Sequence, residues 1–187
     1  MMEPSPPLLS LGSRCIAVIG MNGAGKTVFG KRLAAKIGWK RADTDRVVKE
    51  KHGDHHEFIG EHGWEKFRTE EERIVLDSLK PGYVVILSGG AIESPIVRST
   101  LKDRAVVLWL QADHRRIHRH LTKAKVSRPE FADGLHPSKV KDMLETRDPL
   151  YKAAANIVLP ASVPFARQVP VAMIELQKYG RTLDPRR

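Results

Sequence analysis

The chain has 187 residues, of which 41% are hydrophobic and 29% are charged, and its formal net charge is +10. This length is enough for one domain with a sizeable core. No apolar run reaches the ~18 residues of a membrane span, and the single cysteine, Cys15, cannot form an internal disulfide. We therefore expect a cytoplasmic protein with no membrane partner. The positive charge favours anionic ligands, although charge alone does not establish a nucleic-acid partner.

The chain divides into three parts by composition. Residues 1–13 are rich in proline and lack a basic start, so we interpret them as a flexible lead-in and not a signal peptide. Residues 14–180 form the predicted domain. Residues 181–187, RTLDPRR, form a basic tail.

The first predicted element is an apolar, β-branched strand at 15–19, which is typical of a buried parallel strand. It is followed by GMNGAGKT, which fits G-x-x-x-x-G-K-[ST], and then by a helix at 26–37. Glycines let such a loop turn its N–H groups towards a phosphate at the helix N-terminus. Strand, glycine loop and helix together predict a nucleoside triphosphate site made by Gly23, Ala24, Gly25, Lys26, Thr27 and Val28.

Apolar strands alternate with helical stretches along the rest of the domain. This order is typical of an α/β fold in which helices cover both faces of a parallel sheet. A polar stretch at 123–137 is long enough for a lid. The predicted strands are 39–42, 83–87, 105–110 and 156–159; the helices are 44–52, 55–80 (broken near Gly60 and Gly63), 113–124, 138–154 and 163–179.

Ligands of parallel sheets bind where the strands end. Asp43 and Asp45 follow the second strand, so one carboxylate could hold Mg²⁺ and the other could orient or deprotonate a hydroxyl. The alternative is that one of them caps the next helix. Gly89 and Gly90 follow the third strand, where they indicate either close approach of a ligand or an ordinary tight turn.

Three arginines are candidates for binding carboxylate or phosphate, because a planar guanidinium reaches two oxygens at once. Arg128 lies in the predicted lid, Arg147 in RDPLY, and Arg68 in a helix rich in glutamates. For Arg128 and Arg147 a solvated arginine is the open alternative, and for Arg68 it is a surface arginine paired with glutamate at helical spacing. We interpret the clusters at His52–His56 and His114–His120 as surface histidines and not zinc ligands.

Six motifs in order make the chain resemble shikimate kinases across about residues 14–178. They are GMNGAGKT, DTD, HGWEKFR, SGGA, SRP and RDPLY. HGWEKFR and GYVVILSGGAIESP look most like the kinase domain of the fungal pentafunctional arom protein and the kinase-like domain of the related quinate repressor. The resemblance implies a P-loop NTPase fold of the nucleoside monophosphate kinase type, with three layers, a five-stranded parallel sheet and a lid.

The resemblance also implies an activity, transfer of the γ-phosphoryl group of ATP to the 3-hydroxyl of shikimate, with Mg²⁺. Carried over residue by residue, Lys26 and Arg128 contact the phosphates, and Thr27 and Asp43 hold the metal. Asp45 binds the shikimate hydroxyls and is the candidate base. Further shikimate contacts are implied for Arg68, Gly89, Gly90 and Arg147, and a contact with adenine for Arg119.

Two positions depart from the family pattern. Val28 stands where a hydroxyl usually meets the α-phosphate, and Ala91 stands where a third glycine is usual, so its Cβ could crowd the substrate or bar a positive φ. These changes leave open a catalytically weak or inactive ligand-sensing domain of a transcriptional regulator. A sibling kinase, such as a gluconate kinase, is another alternative, and the chain could be part of a larger multidomain protein.

Overall fold

A parallel sheet of five strands lies at the centre of the computed structural model, which describes residues 11–124, 128–160 and 162–183. The strands occur in the spatial order β2-β3-β1-β4-β5, and all four neighbouring pairs are parallel. The predicted five-stranded parallel sheet is therefore confirmed. The strands are β1 (Cys15–Ile19), β2 (Lys40–Asp43), β3 (Tyr83–Ile86), β4 (Ala105–Gln111) and β5 (Ile157–Pro160).

Seven α-helices connect and cover these strands in the part of the chain that the structure describes. Six of them match predicted helices to within a few residues at each end. α4 has no counterpart among the predicted ranges; it starts with Ser94 as N-cap and Pro95 in its first turn. The helices are α1 (Lys26–Ile37), α2 (Thr44–His52), α3 (His55–Ser78), α4 (Pro95–Arg104), α5 (His114–Ala124), α6 (Pro137–Ala154) and α7 (Phe165–Leu183).

Two apolar clusters lie on opposite faces of the sheet, because successive side chains of a strand alternate between faces. Ile16 and Val18 of β1 belong to the first cluster, which contains side chains of α1, α5 and α7. Ala17 and Ile19 belong to the second, with side chains of α3 and α4. Every residue of β1 is buried. The result is the predicted three-layer arrangement.

The structure shifts the ends of the predicted lead-in, tail and lid by a few residues. Leu11, within the predicted lead-in, is buried in the first apolar cluster, whereas residues 1–10 lie outside the described residues. α7 extends to Leu183, so 181–183 of the predicted tail are helical, and 184–187 are not described. Of the predicted lid, residues 125–127 are not described, and Pro129–Phe131 forms a short 3₁₀ helix.

Two glycines adopt positive φ values where the chain changes direction, one after β1 and one within α3. Gly20 leaves β1 with φ 139°, and a Cβ there would lie 2.6 Å from the carbonyl oxygen of Leu110. Gly63 interrupts α3 with φ 82°, which places the predicted break at that residue and not at Gly60.

No helix within the described residues is long and apolar enough to cross a membrane.

Candidate active site

The glycine loop between β1 and α1 has the shape of a phosphate site. Gly23 and Gly25 adopt φ values of 87° and 95°, and α1 starts directly after Gly25. The Nζ atom of Lys26 donates a hydrogen bond to the carbonyl oxygen of Met21 at 3.1 Å. This bond holds the ammonium group across the loop, at a helix N-terminus that favours anions.

Lys26 is almost completely buried, at 7% exposure. Burial lowers the pKa of its ammonium group to about 8, and the neighbouring carboxylates of Asp45 and Asp43 oppose this effect. No carboxylate within the described part of the chain forms an ion pair with Lys26, and a buried cation in that position favours a ligand that brings negative charge. The phosphates of a nucleotide satisfy that condition.

Thr27 and Asp43 face each other across the mouth of the loop. The hydroxyl of Thr27 donates to Oδ2 of Asp43 at 2.9 Å. Asp43 precedes α2 but its side chain makes no capping hydrogen bond, so the capping alternative does not hold for it. One hydroxyl and one carboxylate are oxygen ligands that suit Mg²⁺ held mostly by water and phosphate.

Asp45, in the first turn of α2, is engaged by an arginine from the predicted lid. Nη1 of Arg128 lies 3.2 Å from Oδ2 of Asp45, and both side chains are partly buried. The solvated alternative for Arg128 is therefore wrong. The pair joins the candidate base to the candidate phosphate-binding arginine.

Nη1 of Arg68 lies 2.6 Å from Oε2 of Glu71, three residues later on the same helix. The pair is not a surface feature, however, because the Glu71 side chain is 4% exposed and also accepts a hydrogen bond from the Ser88 hydroxyl at 2.7 Å. Burial raises the pKa of the Glu71 carboxyl, against the opposing charge of Arg68. The pairing of Arg68 with a glutamate agrees with the helical spacing, but the sequence did not predict that Glu71 is buried beside the candidate site.

Gly89 and Gly90 allow other groups to approach the backbone closely. A Cβ on Gly90 would collide with the guanidinium of Arg68. Neither residue needs a left-handed conformation, since Gly90 has φ −84° and Gly89 is not among the glycines with positive φ. Gly89 is held by space, because a Cβ there would also meet the backbone nitrogen of Asn22, whereas at Gly90 the nearest groups in the way are the terminal atoms of the Arg68 side chain.

Ala91 does not need the φ of a glycine either. It begins a 3₁₀ helix, Ala91–Glu93, and its side chain is buried in the second apolar cluster. The expectation that its Cβ would bar a required positive φ is therefore wrong. Val28, in contrast, is 51% exposed beside the phosphate loop.

Arg147 is buried within α6, with a side-chain exposure of 4%. Its Nε donates to Oε1 of Glu93 at 2.6 Å, and its Nη1 lies 3.4 Å from the sulfur of Met21. A surface role for Arg147 is therefore wrong. Glu93 is a second residue that the sequence analysis did not identify, because it contacts an arginine 54 positions away.

Three of the cavities among the described residues lie beside these side chains. The largest of the three, 360 Å³, is bordered by Asp45, Phe67, Glu71 and Arg128. A cavity of 240 Å³ follows the phosphate loop and shares Thr27, Asp43, Asp45 and Arg128 with the first. A third, of 340 Å³, lies beside Arg68, Gly90 and Glu93. Asp45 thus lies between the phosphate loop and the larger space.

His120 and Leu121, not Arg119, border the cavity of the phosphate loop. A ring nitrogen of His120, Nδ1, lies 2.9 Å from the carbonyl oxygen of Gly23. Arg119 is exposed one position earlier on α5. The adenine contact implied for Arg119 stays a prediction.

His52 and His55 are partly buried, so their interpretation as surface histidines is wrong. Their rings contact Phe58 and Phe67 respectively. Within residues 11–124, 128–160 and 162–183, no three His, Cys, Asp or Glu side chains form a group that could hold a metal ion. His52 and His55 are packing residues, and His55 borders the 360 Å³ cavity.

Comparison with known proteins agrees with this geometry. A family model described as shikimate kinase matches residues 22–175. A shikimate kinase of Nitrobacter winogradskyi is 32% identical over 158 residues, covering 83% of this chain and 73% of that protein. A pentafunctional AROM polypeptide of Candida glabrata is 33% identical over 153 residues, which are 76% of this chain but 9% of that protein.

A solved structure has the same fold. It is a shikimate kinase from Acinetobacter baumannii in complex with shikimate, with a TM-score of 0.81 and 28% sequence identity. The match covers 91% of this chain and 96% of that chain.

Proposed function

The chain belongs to the shikimate kinase family, and on that premise we propose that it transfers the γ-phosphoryl group of ATP to the 3-hydroxyl of shikimate. The products are shikimate 3-phosphate and ADP. ATP and Mg²⁺ are the nucleotide and metal of this family. The observation that carries the proposal is the position of Asp45, which borders both the cavity of the phosphate loop and the larger cavity next to it.

The phosphate loop supplies the nucleotide end of the site. Lys26 would contact the β- and γ-phosphates, and the backbone N–H groups around Gly23, Ala24 and Gly25 would surround them. Thr27 would hold Mg²⁺ directly and Asp43 through water. A metal held there would supply positive charge against the phosphate oxygens.

Asp45 would orient the 3-hydroxyl and accept its proton as the oxygen attacks the γ-phosphorus. The proton then lies on the Asp45 carboxyl, and the β-phosphate of ADP is the leaving group. Arg128, 3.2 Å from Asp45 without ligand, would exchange that partner for the transferring phosphoryl group. Its charge then stabilises the negative charge of the transition state.

The substrate carboxylate would be bound by two arginines that already have carboxylate partners. Arg68 pairs with Glu71 and Arg147 with Glu93. Each guanidinium has further N–H groups that these partners do not use. Gly90 lies against Arg68, so its backbone would meet the ring of the substrate next to the carboxylate.

A substrate panel tests this proposal. The protein is incubated with MgATP and, separately, with shikimate, quinate or gluconate, and the position of the new phosphate is determined by NMR. We expect phosphate on the 3-hydroxyl of shikimate and little transfer to the other two. Transfer to gluconate in preference to shikimate would contradict the proposal and favour the sibling kinase.

A further inference from the structure

Asn22 joins the phosphate loop to the loop that follows β3. Its side-chain oxygen, Oδ1, accepts a hydrogen bond from the backbone N–H of Gly89 at 3.2 Å. Asn22 is 5% exposed and also borders the 240 Å³ cavity of the phosphate loop. One side chain therefore contacts both halves of the site.

The contact between these loops is close because Gly89 has no side chain. A Cβ on Gly89 would lie 2.9 Å from Oδ1 of Asn22 and 3.0 Å from its backbone nitrogen. A side chain at this position would displace the Asn22 side chain and press against the backbone of the phosphate loop. The glycine thus allows direct contact between the backbones of the two loops.

Gly89 is also held from its other side. The phenol of Tyr151 donates to the carbonyl oxygen of Gly89 at 2.6 Å. That carbonyl shares a planar peptide unit with the N–H of Gly90. The hydrogen bond that fixes the direction of the carbonyl therefore also fixes the direction of the N–H. Asn22 and Tyr151 together set the orientation of the Gly89–Gly90 backbone.

We propose that Asn22 is a positioning residue that couples nucleotide binding to shikimate binding. Phosphates on the glycine loop fix Asn22, and Asn22 fixes Gly89 and with it the N–H of Gly90. Coupling of this kind is reciprocal, so each ligand raises the affinity for the other by the same factor. The inference rests on the proposed function, because it takes Gly90 as part of the shikimate site.

A second contact acts in parallel with Asn22. Met21, its neighbour, lies against the guanidinium of Arg147. Removal of the Asn22 side chain should therefore reduce the coupling and not abolish it.

Calorimetric titration of shikimate, with and without Mg²⁺ and a non-hydrolysable ATP analogue, measures the coupling factor. We expect a factor above one in the wild-type protein and a loss of roughly two- to tenfold in Asn22→Ala, the size of one neutral hydrogen bond. Tyr151→Phe is the matched control. This variant removes the hydrogen bond to the carbonyl oxygen of Gly89, on the side away from the nucleotide. Shikimate binding should therefore weaken by the same factor with and without the ATP analogue, and the coupling factor should stay at the wild-type value.

Asn22→Asp retains an oxygen acceptor and should keep most of the factor, although its charge should weaken nucleotide binding. Two results would overturn the inference: a coupling factor in Asn22→Ala equal to that of the wild type, or a coupling factor of one in the wild type. In either case, binding of shikimate by the wild-type protein would still support the proposed function. If the wild-type protein does not bind shikimate in either condition, the proposed function fails as well.

Discussion

Nη1 of Arg128 lies 3.2 Å from Oδ2 of Asp45, so the candidate base and the lid arginine are partners in the absence of ligand. Asp45→Asn keeps the shape of the side chain but cannot accept the proton. We expect kcat to fall by roughly 10²- to 10⁴-fold, while the Kd of MgATP stays within a few-fold of the wild type. Steady-state kinetics and calorimetric titration measure these quantities.

Arg128→Lys is the companion variant, because it keeps the charge and loses the planar fork. If Arg128 binds the transferring group, kcat should fall while the KM of shikimate changes little. An Arg128→Lys enzyme with unchanged kcat would show that the pair with Asp45 is only structural.

Arg147→Lys tests recognition of the substrate carboxylate. A lysine cannot reproduce two parallel N–H contacts, so we expect the KM of shikimate to rise roughly tenfold or more, with little change in the KM of ATP. Glu93→Gln is the matched control, since it removes the present carboxylate partner of Arg147 and leaves the arginine free for substrate. Equal increases of the KM in both variants would mean that the ion pair, and not the substrate contact, is what matters.

Val28→Thr should tighten nucleotide binding. Val28 is exposed at the phosphate loop, and threonine has nearly the same shape with an added hydroxyl that can donate to a phosphate oxygen. We expect a gain on the order of 1 kcal/mol in the binding free energy of MgATP, measured by calorimetry. Val28→Ala, which adds no hydroxyl, should show no gain; an equal gain in both variants would exclude the hydrogen bond as the cause.

The local features of this protein were predictable from its sequence. Lys26 and Thr27 lie in a short motif whose backbone conformation depends on its own glycines. Asp43 ends β2 and Asp45 lies in the first turn of α2, directly after it. Parallel strands bring such ends together whatever the rest of the chain does. The predicted sheet is confirmed for this reason, and the predicted glycine loop lies between β1 and α1.

Partners far apart in sequence were not predictable in the same way. Asn22 and Gly89 are 67 positions apart, and Tyr151 and Gly89 are 62 apart; no periodicity indicates either contact. The adenine contact implied for Arg119 stays a prediction. Successive residues of a helix point ~100° apart, and it is His120, the residue after Arg119 on α5, that borders the cavity of the phosphate loop.

The pKa of Lys26 gives a pH prediction. Burial lowers this pKa to about 8, so the free protein loses the ammonium proton as pH rises through that value, whereas bound phosphates favour the charged form. The Kd of MgATP should therefore rise above about pH 8, and binding near that pH should take up a proton. Titrations in buffers with different ionisation enthalpies measure the uptake.

Lys26→Arg is the control for this prediction, because a guanidinium stays protonated throughout the range. It should bind MgATP without proton uptake, even if more weakly. Uptake of the same size in Lys26→Arg would assign the proton to another group.

ADP release at saturating MgATP, with and without shikimate, tests the central claim most directly. We expect release that depends on shikimate and that Asp45→Asn nearly abolishes. No release in either condition, together with a rise in the melting temperature when shikimate or quinate is added, would contradict the kinase. It would favour a ligand-sensing domain built on the same fold.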